Sequence, residues 1–443
     1  MMATGFRICA LALALGAAMV SAGATSAAAA ATAEVAASPD AVGFDAARLQ
    51  KLDKALAKVV ADGRVAGMST LLVRHGKLVD TQVFGKQSLA TGQPMSRDTI
   101  VRIYSMSKPI TGVAMMILYE EGKWRLDDPI TKFIPEFKGL RVISGVDDKG
   151  AMITVPVTRP PTLREIMSHT AGFGYGLQDN NPVDHMFREK RVLAADNLPD
   201  LIHRVADIPL KFQPGTDWSY SVSVDIQGYL IEKISGQKLG DFLAQRIFQP
   251  LKMTDTAFST GTAKAARLAA LYVGDEKTGK LVEPSTLFGG GVPDYVNPPG
   301  LESGGGGLVS TLGDYGRFCQ MILNGGELDG VRILAPRTIA LMGTDVVPQA
   351  ALVKSNGTAS QRFGDSVGFG LDFMVMKDPL KAGSLEGKGV LSWGGAASTW
   401  FWIDPANDLY FVGMVQRLGG TGGDDLGLMT RTLTYQALIH PEK

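Results

Sequence analysis

The feature that most constrains this chain is a helix that has no place on a water-facing surface. Val113 to Tyr119 is a nearly unbroken apolar run. A helix apolar on every side is buried all round, so its N-terminal end points into the interior or a cleft. Ahead of it stands Ile103-Tyr104-Ser105-Met106-Ser107-Lys108-Pro109. Proline has no N–H and is tolerated only near a helix start, which places Ser105 at or just before the first turn. Lys108, three residues on, shares a helical face with Ser105. A serine hydroxyl becomes a nucleophile only when a neighbour takes its proton, and a lysine can do so as the neutral amine. The same helix end offers unpaired N–H groups and the positive end of the helix dipole, where an oxyanion would be stabilised.

An S-x-x-K pattern alone is weak, and the chain contains its own control. Ser235-Gly236-Gln237-Lys238 matches it, yet Gly236 follows the helical run Ile226 to Ile234 and reads as a C-cap. That lysine leaves the helix and shares no face with Ser235. The weight therefore falls on what accompanies Ser105.

Residues 1–31 read as a secretory signal peptide with an open cleavage position. Arg7 precedes the apolar segment Ile8 to Val20, and small residues follow at Ala22, Ala24 and Ala27 to Ala31. The segment is too short to span a bilayer comfortably. Export implies a periplasmic or secreted protein, with a retained anchor as the alternative. Cys9 lies inside the leader, so the exported chain keeps Cys319 alone and has no disulfide framework or zinc cluster. The 44 basic and 44 acidic side chains balance, which argues against nucleic acid or an anionic membrane as the main partner and leaves a small neutral molecule open.

Phe44 to Asp62 carries apolar residues at helical spacing, and Ser69 to Arg74 and Leu78 to Phe84 are β-rich runs joined at His75-Gly76-Lys77, with His75 simply solvated. From Leu126 to about Pro299 the pattern changes to short helices and long loops. Thr162-Leu163-Arg164-Glu165 is a capping box, and the helix it opens stops at Ser168-His169-Thr170-Ala171-Gly172. His169 is expected to be structural and hydrogen-bonded. Gly172 to Gly176 and Gly304 to Gly307 are loops, without the companions a dinucleotide or phosphate cradle needs. Tyr220, just ahead of a helix, is either packing or, near a lysine, a proton relay. Thr311 caps a helix over Leu312 to Leu323. Gly368 to Met376, Val390 to Trp393, Thr399 to Asp404 and Leu409 to Gln416 read as strands, and Leu426 to Ile439 as a closing helix. The fold class is α+β. Two strands before the helical middle and three or four after it make one antiparallel sheet flanked by helices, from residues 40–125 with 305–443, and 126–304 form an inserted mainly helical domain.

These residues together resemble the penicillin-recognising serine hydrolases: class C β-lactamases, D-Ala-D-Ala carboxypeptidases and the esterases of that fold. Ser105-Met106-Ser107-Lys108 is similar to the nucleophile motif and Trp218-Ser219-Tyr220-Ser221 with Asp225 and Gly228 to the tyrosine motif. Gly304 to Thr311 is similar to the glycine-rich segment, and Ser392-Trp393-Gly394-Gly395 stands in place of the Lys-Thr-Gly strand. The resemblance covers about residues 44 to 440. It implies Ser105 as nucleophile, Lys108 with Tyr220 as the proton-transfer pair, and the N–H groups of Ser105 and Ala396 as the oxyanion hole. Trp393, Gly394 and Gly395 would meet the substrate, and neither metal nor cofactor is implied.

Two departures direct the reading. Val222 stands where the tyrosine motif usually ends in Asn, and Trp393 and Gly394 replace the cation and hydroxyl that receive a substrate carboxylate. Their loss weakens recognition of anionic lactams and peptides, and a tryptophan offers apolar area instead. The pattern is similar to the family VIII carboxylesterases, which implies an exported serine esterase for short-chain or aromatic esters. A β-lactamase or D-Ala-D-Ala carboxypeptidase is the first alternative and a non-catalytic penicillin-binding-type sensor the second. A Ser-His-Asp hydrolase is set aside on the expectation that the chain lacks a G-x-S-x-G elbow.

Overall fold

Residues near both ends of the chain build the central sheet. The computed structural model describes residues 37–275, 277–287, 290–352, 363–419 and 423–441. The expected leader, Cys9 included, lies outside the described residues. Seven strands form the sheet: β1 (Gly67–Arg74), β2 (Lys77–Gly85), β3 (Val367–Phe369), β4 (Met374–Met376), β5 (Leu391–Gly395), β6 (Thr399–Asp404) and β7 (Leu409–Val415). Their order is β3-β4-β5-β6-β7-β1-β2, antiparallel throughout. The last strand thus pairs with the first, Met68 opposite Val415 and Arg74 opposite Leu409.

The two-residue period of a strand sorts its side chains to the two faces. Phe401, Ile403, Tyr410 and Val412 join the larger core, whereas Trp400, Trp402, Leu409 and Phe411 join a second one. The second core is closed by helices α1 (Ala46–Ala61) and, at the far end of the chain, Gly423–Tyr435. The larger core takes in α2 (Ser107–Glu120), α3 (Pro182–Glu189), α4 (Ser223–Ser235) and α5 (Leu312–Leu323). Every residue of α2 from Ser107 to Leu118 is buried. Hydrophobic burial thus fixes where the Ser105 end of this helix must lie.

Local signals act as read. Thr162 and Glu165 form the full capping box, and the Thr311 hydroxyl accepts from the Asp314 N–H; Asp45, which the sequence reading did not single out, caps α1. Gly236 has φ +74°, so Lys238 does leave the helix. Among the described residues no helix is long and apolar enough to cross a membrane.

The structure corrects several expectations. Gly368 to Met376 is two strands, because Gly370 N–H bonds the Phe373 carbonyl and Asp372 turns at φ +62°. Five strands therefore follow the middle segment, not three or four. The closing helix ends at Tyr435, since beyond it the chain turns to pair with the N-terminal end, Ile439 N–H to the Gly43 carbonyl. A hairpin, Arg141–Val146 with Met152–Pro156, stands in the middle segment where only helices and loops were expected. His75 is not merely solvated: its Nδ1 lies 2.8 Å from Asp408 Oδ2. The pentapeptide Gly364-Asp365-Ser366-Val367-Gly368 does match G-x-S-x-G. It runs from a bend into β3, with the Ser366 carbonyl accepting from Lys377 and Asp378, and lacks the strand–turn–helix context of a nucleophile elbow.

Candidate functional site

Ser105 sits in a single 3-10 turn, Tyr104–Met106, that runs directly into α2. Tyr104 holds φ +42°, a conformation that costs a bulky residue about 1–3 kcal/mol and persists only when its surroundings over-determine it. Here they do. Ile103 N–H bonds the Leu308 carbonyl at 3.1 Å, the Tyr315 hydroxyl donates to the Met106 carbonyl at 3.0 Å, and Leu308 N–H donates to Ser107 Oγ at 3.2 Å. The serine is presented on a kinked, pinned backbone.

Two side chains meet its hydroxyl oxygen. The Tyr220 hydroxyl donates to Ser105 Oγ at 2.5 Å and Lys108 Nζ donates to the same oxygen at 3.3 Å. Lys108 also donates to the Gly305 carbonyl at 2.6 Å and to the Tyr175 hydroxyl at 3.3 Å, and its Nζ lies 4.5 Å from the Tyr220 ring centre. Lys108 is 1% exposed. The glycine-rich segment is glycine-rich for a steric reason: a Cβ on Gly305 would come within 2.6 Å of Asp225 Oδ2 and 3.0 Å of the Tyr175 hydroxyl.

Two buried carboxyls face this lysine. Asp225 accepts from the Ser303 hydroxyl at 2.5 Å and from Gly305 N–H at 3.1 Å. Asp372 accepts from Gln227 Nε2 at 3.1 Å. Burial pushes both acids up, well up for Asp372, and the Lys108 charge opposes the rise in each. Burial also raises the Tyr175 phenol well above its usual value, with Asp225 adding to it. Tyr175 therefore stays a hydroxyl, while Tyr220 holds the direct contact with Ser105.

The other expected residues lie on the same cavity, whose volume is about 840 Å³. Trp393, Gly394, Gly395 and Ala396 line it from the end of β5 and the turn to β6. Gly395 is required there: a Cβ would meet the Ile103 carbonyl and Thr399 Oγ1, both at 2.3 Å. Trp393 is half-buried, with its ring 5.5 Å from Tyr220 and 5.3 Å from Phe369. Val222 is fully buried in the core. His169 is buried, its Nδ1 2.9 Å from Ser221 Oγ and its ring 5.0 Å from Tyr220, which is the structural place expected of it.

Sequence reasoning missed Tyr175, Asp372 and the aromatic wall of Tyr104, Phe258 and Tyr295. Tyr175 stands in a segment read only as a glycine loop, and Asp372 inside a run read as one strand. An aspartate set between the apolar Leu371 and Phe373 is the signal that would have drawn notice to the latter.

The β-lactamase family model matches residues 52–435 of this chain. Protein Rv1367c of Mycobacterium tuberculosis is 34% identical over 360 residues, 80% of this chain and 86% of that protein. Esterase EstB of Burkholderia gladioli is 30% identical over 383 residues, 83% of this chain and 90% of that protein. The solved structure of EstCE1, described as a hydrolase with promiscuous acyltransferase activity, superposes with a TM-score of 0.72 at 25% identity, over 88% of this chain and 99% of that one. A likeness that runs from the first helix to the last, through every segment that meets at Ser105, makes this chain a member of the β-lactamase family of serine hydrolases.

Proposed function

We propose that the chain is a carboxylesterase that forms an acyl-enzyme on Ser105 and acts on short-chain or aromatic esters. The observation that carries this reading is the cavity wall at β5, where Trp393 and two glycines occupy the position that would receive a substrate carboxylate. Among the described residues the charged groups that line the cavity are Asp294 and Arg431, and Arg431 is already paired with Glu386 Oε2 at 2.9 Å. A neutral acyl group meets aromatic surface without leaving a charge unpaired.

In the proposed reaction the Ser105 proton passes to the Lys108–Tyr220 pair as Oγ bonds to the ester carbonyl carbon. The N–H groups of Ser105 and Ala396 receive the oxyanion, and losing one such donor costs about a hundred- to a thousandfold in rate. The alkoxide leaves with the proton, and water repeats the sequence on the acyl-enzyme with the same pair as base. Residues 1–31 support export, and we extend the proposal to a periplasmic or secreted enzyme.

Intact-protein mass tests the reading after separate incubation with p-nitrophenyl butyrate, a fluorophosphonate and a penicillin. We expect a fluorophosphonate adduct on wild type and none on Ser105→Ala, with fast ester turnover and little penicilloyl adduct. A penicilloyl adduct with poor ester turnover would move the chain to the peptidase or β-lactamase branch.

A further inference from the structure

An ion pair outside the cavity reaches both tyrosines that flank Lys108. Asp184 stands in the first turn of α3, behind the N-cap Asn181, with its carboxylate turned inward. One oxygen accepts from the N–H groups of Tyr175 and Gly176, each at 2.8 Å. The other accepts from Gln178 N–H at 3.2 Å and from Lys211 Nζ at 2.7 Å. Lys211 divides its remaining protons between Gln178 Oε1 at 3.1 Å and Ser219 Oγ at 3.3 Å, the residue beside Tyr220. The two side chains are 8% and 1% exposed.

The backbones they join already run side by side. Lys211 N–H bonds the Gly172 carbonyl at 2.7 Å, Ser219 N–H the His169 carbonyl at 3.0 Å, and Val222 N–H the Gly174 carbonyl at 3.0 Å. Gly174 has no side chain where a Cβ would come within 2.8 Å of Asp184 Oδ1. The Tyr175 and Tyr220 rings then meet edge to face at 5.4 Å, with the Lys108 amine against both. A buried ion pair adds little stability over a well-packed apolar pair, but it imposes bond directions that an apolar pair does not.

We propose that the Asp184–Lys211 pair is a positioning device, which fixes Tyr175 and Tyr220 about the Lys108 amine. It rests on the acyl-enzyme reading above and adds two residues that touch no substrate. Because reacting groups misplaced by roughly 1 Å cost up to about a hundredfold in rate, its loss should fall on kcat and not on KM.

The test measures kcat, KM and unfolding temperature with p-nitrophenyl butyrate for wild type, Lys211→Met, Lys211→Arg and the apolar double variant Asp184→Leu/Lys211→Met. We expect Lys211→Met to lose about 10- to 100-fold in kcat with KM nearly unchanged, and Lys211→Arg to recover most of it. The double variant leaves no lone charge buried but strips the acceptor from the Tyr175, Gly176 and Gln178 N–H groups, so kcat stays low whatever its thermal stability. Recovery of kcat together with stability, or turnover by Lys211→Met within about twofold of wild type, overturns the proposal. Should Lys211→Met not fold, Ser219→Ala decides, expected to lower kcat severalfold and overturning the link to Tyr220 if it does not. A wild type without ester turnover or fluorophosphonate adduct fails the esterase reading instead. The pair is then judged by the crystal structure of the double variant, where the spacing of the Tyr175 and Tyr220 hydroxyls should change by about 1 Å and an unchanged spacing overturns it.

Discussion

Tyr175 and Tyr220 both sit on Lys108, yet they differ in what they touch. Tyr220 reaches Ser105 Oγ at 2.5 Å, whereas the Tyr175 hydroxyl accepts from the lysine at 3.3 Å. Tyr220→Phe should therefore lose about a hundredfold or more in kcat, the usual worth of a proton-transfer group. Tyr175→Phe removes one acceptor from the amine and should cost about tenfold, near the worth of one hydrogen bond to a charged group. Parallel steady-state kinetics of the two variants read the difference, and equal losses would make Tyr175 a second proton carrier. Ser105 and Lys108 were legible in the sequence because Pro109 and the apolar run after it fix the helix start. Tyr220 was legible only by its resemblance to a motif. Tyr175 was not, because it meets Lys108 from 67 positions away in a loop that has no periodicity.

A glycine inside a buried helix marks a close approach, and in α2 it is Gly112. A Cβ there would lie 2.7 Å from Asp372 Oδ2 and 3.0 Å from Asp372 Cβ. Helix propensity favours alanine by about 1 kcal/mol, while overpacking a core costs about 1–3 kcal/mol, so the overpacking wins or at best breaks even. Gly112→Ala should lower the unfolding temperature. Adding Asp372→Gly should restore it, because that residue turns at φ +62°, where glycine is unstrained. Thermal unfolding of the single and double variants checks both statements. The same turn explains why one expected strand became two. Periodicity in Gly368 to Met376 records apolar residues, but not the reversal at Asp372 that sends the chain back to pair Phe369 with Met374. Elements with their own caps, such as α1 and α5, were readable to within a residue or two, since the capping contacts are local.

Across the whole molecule the acid side of the stability curve carries an internal signature. Asp53 of α1 is raised to about 6, first by burial and then by the charge of Asp80 on β2. Burial raises Asp314 to about 6 as well. An acid with a raised folded value binds its proton more readily folded than unfolded. Its contribution is therefore full below its ordinary value of 3.8 and falls away as pH climbs through about 6. The gain in unfolding temperature of Asp53→Asn over wild type should be larger at pH 7 than at pH 4. A gain that does not depend on pH would show that the titration of Asp53 is not coupled to folding. Sheet order is the other property of this scale. The β-rich runs before and after the middle segment implied one antiparallel sheet, but the pairing of β7 with β1 is written in no local segment.

That pairing has a consequence for how the enzyme comes into being. The strands at the middle of the sheet are made after the rest of it, and the first strand waits for the partner at Leu409 to Val415. Ser105 meets Tyr220, Gly305 and the end of β5 across gaps of one to three hundred residues, so contacts of this range form late and slowly. A chain that stops short of these strands carries the serine and the lysine but no site around them, so the site cannot be assembled before residues 391–415 are made.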